Sequence, residues 1–178
     1  YDWGLRATYA PKVFTISVGG IEAGGVGKSP VTQALLSRLL ELGRRPALVS
    51  RGYGRSAQGL YLRQKGEPAE AAHMGDEPAM MVASGLDIPV GICPKRKLAV
   101  EALQRSGECD TVVLDDAFAH RALKRHLDVV VLRAEAPLGG GYLLPAGTLR
   151  EPPGALGRAD VLWFHAKRGE FNAEAIRE

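Results

Sequence analysis

The stretch GGIEAGGVGKSP, Gly19 to Pro30, decides how the rest of this chain is read. It follows the β-branched apolar run VFTISV (13–18) and precedes SPVTQALLSRLLELG (29–43), where Val31, Ala34, Leu35, Leu39 and Leu42 recur at helical spacing. Strand, glycine-rich loop and helix in that order form the setting of a phosphate-wrapping loop. Such a loop needs small residues that let backbone N–H groups point inward, a lysine to meet the β and γ oxygens, and a hydroxyl beside a metal ion. Gly24, Gly25, Val26, Gly27, Lys28, Ser29 and Pro30 are the expected nucleotide-holding segment, with Ser29 on the metal side. Pro30 falls in the first helical turn, where its missing N–H costs nothing, and Gly43 is a natural stop. The strict pattern G-x-x-x-x-G-K-[ST] puts its first glycine at position 22, where this chain has Glu22. A glycine-rich turn that holds no ligand is the alternative reading.

Outward from the loop, RPALVS (45–50), IPVGI (88–92), DTVVLDD (110–116), LDVVVLRA (127–134) and ADVLWFHA (159–166) read as strands. DEPAMMVASG (76–85) and KRKLAVEALQRSG (95–107) read as helices between them. Near-continuous apolar strands alternating with helices predict an α/β fold of the P-loop NTPase type, a mostly parallel sheet with helices on both faces. The segment 51–75 is polar, glycine-rich and too long for a simple connection, which points to function or mobility. The stretch 138–156 is rich in Gly and Pro and cannot be regular throughout, whereas KRGEFNAEAIRE (167–178) looks like the start of a helix.

The chain has 178 residues, 46% hydrophobic and 24% charged, which fits one nucleotide-binding domain over 1–178. Its net charge of +3 is spread without a basic run or interleaved aromatics, which suits an anionic substrate or an acidic membrane surface rather than nucleic acid. Cys93 and Cys109 lie far apart, so neither a disulfide framework nor a zinc site is expected, and a reducing cytoplasm fits. No apolar run approaches the ~18 residues of a membrane span. The chain begins at Tyr1 rather than Met, so an upstream segment is expected to have been removed.

A phosphate loop also needs a carboxylate near the metal, at the carboxyl end of a buried strand. Asp115 and Asp116 end TVVLDD and fit that place. For Asp116 alone, a helix N-cap is the competing role.

Read with SRGYGR (50–55), GDEP (75–78), DDAFAH (115–120) and LLPAGTLREP (143–152), the loop GGVGKSP resembles one family, the tetraacyldisaccharide 4'-kinases of lipid A biosynthesis. The match runs from about Val13 to His165. The resemblance implies transfer of the γ-phosphoryl group of ATP to the 4'-hydroxyl of a lipid-linked glucosamine disaccharide 1-phosphate, with Mg²⁺, at the cytoplasmic face of the bacterial inner membrane. It further implies Lys28, Asp76 and Asp116 as catalytic residues, Asp76 being the base. Ser29, Asp115 and Asp116 would face the metal, and Arg51, Tyr53, His120, Arg150 and Glu151 would support the site. Glu77 is the alternative acid. The resemblance also implies an N-terminal membrane-docking helix, of which YDWGLR (1–6) would be a remnant, and a second lobe beyond this chain. Gly20, Ala117 and Ala119 depart from the family's usual Asn, Gly and Gln, and loss of the Gln amide removes donors and an acceptor near the nucleotide. His73, His126, His165 and both cysteines have no motif behind them and read as structural. A related P-loop kinase or ligase, and a nucleotide-dependent switch without catalysis, are the competing functions.

Overall fold

The computed structural model describes residues 8–166, so the readings for 1–6 and for 167–178 lie outside the described residues. One seven-stranded sheet forms the frame, in the order β3-β4-β2-β5-β1-β6-β7. Strand β1 (Phe14–Gly19) lies between β5 (Thr111–Asp115) and β6 (Leu127–Arg133), parallel to both, with Val18 opposite Asp115 and Gly19 opposite Val130. Strand β2 (Pro46–Ser50) is parallel to β5 and to β4 (Val90–Ile92), and β7 (Val161–His165) is parallel to β6. The carboxyl ends of β1, β2 and β5 therefore open on one edge of the sheet.

Alternation along the strands divides the core between two faces. Ile16, Val18, Leu48 and Val113 pack with Val31 and Leu36 of helix α1 (Lys28–Glu41). Ala47, Val49, Val112 and Leu114 pack with Ala99, Val100 and Leu103 of helix α4 (Arg96–Ser106). Helices thus cover both faces, as the apolar strands predict. Along α1 the fully buried positions are Val31, Thr32 and Leu36, while Leu42 lies past the last turn and is 60% exposed. The helix ends on Gly43, whose φ of 71° is the left-handed conformation that glycine adopts freely.

Two features depart from the predicted outline. The segment 51–75 contains an edge strand, β3 (Tyr61–Arg63), antiparallel to β4, and a short helix α2 (Ala71–Met74) ahead of α3 (Asp76–Ala83). Arg63 secures this edge from inside: 3% exposed, it donates to the Ile88 carbonyl at 2.8 Å and pairs with Asp87 at 3.0 Å. Part of 138–156 is ordered as a 3-10 helix over Pro153–Arg158. At the opposite edge, β7 keeps Val161, Leu162 and Trp163 between 38% and 47% exposed. No helix of the described residues is long and apolar enough to cross a membrane.

Candidate active site

The carboxyl edge of the sheet opens into a cleft of about 960 Å³. Its floor is the loop after β1. Gly24 and Gly27 have φ of 96° and 86°, values that a side chain would strain. Around Gly24 and Gly25 an added Cβ would meet nothing, so their backbone lies open to the cleft. At Gly27 an added Cβ would come within 2.5 Å of the His165 ring, which closes the loop from behind. His165, read as structural, is therefore a packing partner of the phosphate loop. Val26, 2% exposed, anchors the loop inward. Lys28 begins α1, and its Nζ donates to the Gly24 carbonyl at 3.0 Å and lies 3.7 Å from Asp116 Oδ1. Ser29 and Pro30 occupy the first turn of α1, set back from the cleft wall.

Opposite the loop stand the two acids that end β5. Asp115 is 3% exposed and accepts hydrogen bonds from Thr32 Oγ1 at 3.3 Å and Ser50 Oγ at 3.5 Å. Burial, reinforced by the nearby charges of Glu77 and Asp116, raises its pKa to about 6. Asp116 has a φ of 42°, the only positive value at a non-glycine among the described residues. Arg150 grips it with two bonds, Nη1 to Oδ2 at 2.9 Å and Nη2 to Oδ1 at 3.0 Å. Desolvation pushes the Asp116 carboxyl up, but the Arg150 hydrogen bonds and the charges of Lys28, Arg150 and Arg96 outweigh it and hold the group below the usual carboxylate range.

Arg96 escaped sequence reading. It is 6% exposed, and its Nη2 donates to the carbonyls of Asp115 and Asp116, both at 3.0 Å, which fixes the left-handed turn between them. Its Nε has no hydrogen-bond partner among the described residues. An arginine in the first turn of a helix opposes the helix dipole. That misplacement was the available signal.

The remaining wall comes from Arg51, Tyr53, Asp76, Glu77, Ala119 and His120. Asp76 and Glu77 open α3, and both are exposed. Gly75, at φ 86°, sets Asp76 in place: an added Cβ there would lie 2.6 Å from the Tyr53 carbonyl. Tyr53 is 93% exposed at the rim. Burial, with the charges of Arg96, Arg125 and Arg51, lowers the His120 pKa. Glu151 lies outside the cleft wall and pairs with Arg158. Ala117 is fully buried in the core beneath α4, so its methyl group is accommodated, while Ala119 leaves that part of the wall without an amide.

The raised Asp115 pKa predicts a stability effect. Below pH ~4 the group is protonated in folded and unfolded chains alike; as pH rises through 6 the unfolded chain loses its proton first, and folding loses about 3 kcal/mol. Asp115→Asn keeps one acceptor oxygen and turns an NH2 donor toward the other hydroxyl, which can accept, and it carries no charge. Thermal melts should place the variant above wild type at pH 8, with the gap closing by pH 4. An equal shift at both pH values would contradict this origin.

Fold and cleft together define a P-loop α/β protein. The family model described as "LpxK: Tetraacyldisaccharide-1-P 4'-kinase" matches residues 1–178. The chain belongs to that family. It is 44% identical to the tetraacyldisaccharide 4'-kinase of Anaeromyxobacter dehalogenans (strain 2CP-C), across 99% of this chain and 48% of that protein. With the enzyme of the same name from Haemophilus influenzae the identity is 37%, across 95% of this chain and 50% of the relative. Among solved structures it is similar to LpxK of Aquifex aeolicus, crystallised in complex with ATP, with a TM-score of 0.82 and 32% identity over 91% of this chain and 51% of that one. The chain thus spans about half the length of the relatives it matches.

Proposed function

We propose that the intact protein is an ATP-dependent kinase. It would transfer the γ-phosphoryl group to the 4'-hydroxyl of a tetraacylated glucosamine disaccharide 1-phosphate and so form lipid IVA. The observation that carries this reading is the opposition of Lys28 and Asp116 across 3.7 Å, in a cleft whose far wall presents the exposed carboxylate of Asp76.

The donor set fits MgATP. Asp115 is a buried carboxylate whose side chain, among the described residues, accepts from two hydroxyls, and its raised pKa marks a place where a cation would be welcome. No group of three or more His, Cys, Asp or Glu among the described residues could hold a metal by itself. That suits Mg²⁺, which binds through one or two carboxylates together with phosphate oxygens and water. Asp115, Asp116 and Ser29 are the residues proposed to face it, and when bound it would neutralise charge on the phosphate oxygens.

In this account the amides of Gly24 to Lys28 and the positive end of α1 receive the phosphates, and Lys28 supplies the mobile cation. Arg51 offers a planar fork for phosphate oxygens, while Arg150, engaged on both edges by Glu22 and Asp116, holds the cleft wall and adds its charge. Asp76 accepts the hydroxyl proton as the sugar oxygen bonds to phosphorus and the bond to the departing ADP breaks. A carboxylate is a weak base for an alcohol, so it acts only as the proton leaves. Tyr53 and His120 line the acceptor side. The acylated substrate would be met at a membrane surface, on the cytoplasmic face of the inner membrane, without nucleic acid as partner. Incubation of the intact protein with γ-labelled ATP and the disaccharide 1-phosphate tests the reading. Label in the lipid product is expected; MgATP binding without transfer would favour a nucleotide-dependent switch.

A further inference from the structure

Glu22 stands where the strict phosphate-loop pattern has glycine, and its side chain turns away from the cleft. The residue is 5% exposed. Its carboxylate accepts from Arg133 through Nη2 at 2.6 Å and Nε at 2.9 Å, and from Thr148 Oγ1 at 2.6 Å. The backbone joins the same two segments: Ala23 N donates to Thr148 O at 2.8 Å and Arg150 N to Ile21 O at 2.6 Å. Packing seals the joint, because a Cβ at Gly139 would lie 2.6 Å from Thr148 Oγ1 and 2.7 Å from Glu22 Oε1.

The Glu22 carbonyl faces the other way, accepting from Arg150 Nε at 3.2 Å and Nη2 at 3.1 Å. Arg150 uses its remaining edge to grip Asp116. One guanidinium therefore bridges the phosphate loop and the acidic end of β5. Its aim depends on how the Glu22 peptide is oriented, and that orientation is fixed by a buried carboxylate held at three points.

We infer that Glu22 is a positioning residue: its carboxylate, locked by Arg133 and Thr148, aims Arg150 across the cleft and so sets the strength of nucleotide binding without touching the nucleotide. The nucleotide part rests on the function proposed above; the aiming of Arg150 does not. Residues in one hydrogen-bonded network are coupled by amounts that reach a tenfold change in an equilibrium.

Two measurements on the intact protein separate these parts. The first is calorimetric titration with MgATP. Glu22→Gln and Thr148→Val are each expected to weaken binding roughly tenfold, and Thr148→Ser, which keeps the hydroxyl, to bind like wild type. Glu22→Gln combined with Arg150→Gln should bind no more weakly than Arg150→Gln alone. Additive losses, or losses that vanish once melting curves correct for unfolded protein, would overturn the inference. The second is the NMR signal of Arg150 Nε–H without ligand, expected to be protected from exchange in wild type and Thr148→Ser and exposed in Glu22→Gln and Thr148→Val. An unchanged signal in those variants would also overturn it. Failure of wild type itself to bind MgATP would sink the nucleotide reading and leave the second measurement to decide the first.

Discussion

Asp76→Ala will lose about 10²–10⁴-fold in phosphoryl transfer, the typical contribution of a positioned general base, while its MgATP affinity stays near that of wild type. Binding and chemistry separate at this residue because of where it sits. Asp76 opens α3 on a wall of the cleft, whereas the loop and the β5 acids that would hold the nucleotide are on other elements. Its side chain is exposed at the first turn of α3. Single-turnover transfer and calorimetry on the same samples check both halves. Retained transfer would reject Asp76 as base and direct attention to Glu77 beside it.

Lys28→Ala has the opposite signature: loss of MgATP binding by about 100-fold or more, and transfer lost with it. Hydrogen bonds to charged groups contribute about 1.5–3 kcal/mol each, and Lys28 is the cation nearest the open backbone of Gly24. Its Nζ donates to the Gly24 carbonyl and faces Asp116, at the place where the proposal puts the phosphate oxygens. The variant leaves Asp116 with Arg150 as its remaining side-chain partner, which keeps the cleft wall in place. Equal binding by wild type and variant, with unchanged melting curves, would remove the lysine from the site.

The junction of β1, loop and α1 was legible because its signals are local: a β-branched run, glycines and a lysine within one short stretch. Parallel order followed from strands apolar on both faces. Strand β3 was missed because it is only three residues long and pairs antiparallel at the sheet edge, where neither burial nor alternation leaves a clear trace. The site divides in the same way. Lys28, Asp115 and Asp116 lie next to recognisable loop and strand signals. Arg150 reaches Asp116 from 34 residues away, and Glu22 meets Arg133 from 111 away, so both contacts exist only after the fold brings them together. Glu22 looked like a defect in the phosphate loop; in space it is the buried clamp that joins the loop to Thr148 and Arg133.

The central claim is that Gly24 to Lys28 enclose a triphosphate opposite a metal held by Asp115 and Asp116. Diffraction from crystals of the intact protein grown with Mg²⁺ and a non-hydrolysable ATP analogue tests it most directly. The account predicts β- and γ-phosphate oxygens at about 3 Å from those amides and from Lys28 Nζ, with the metal between the phosphates and the β5 acids. Phosphates bound elsewhere, or a metal remote from both Asp115 and Asp116, would contradict it.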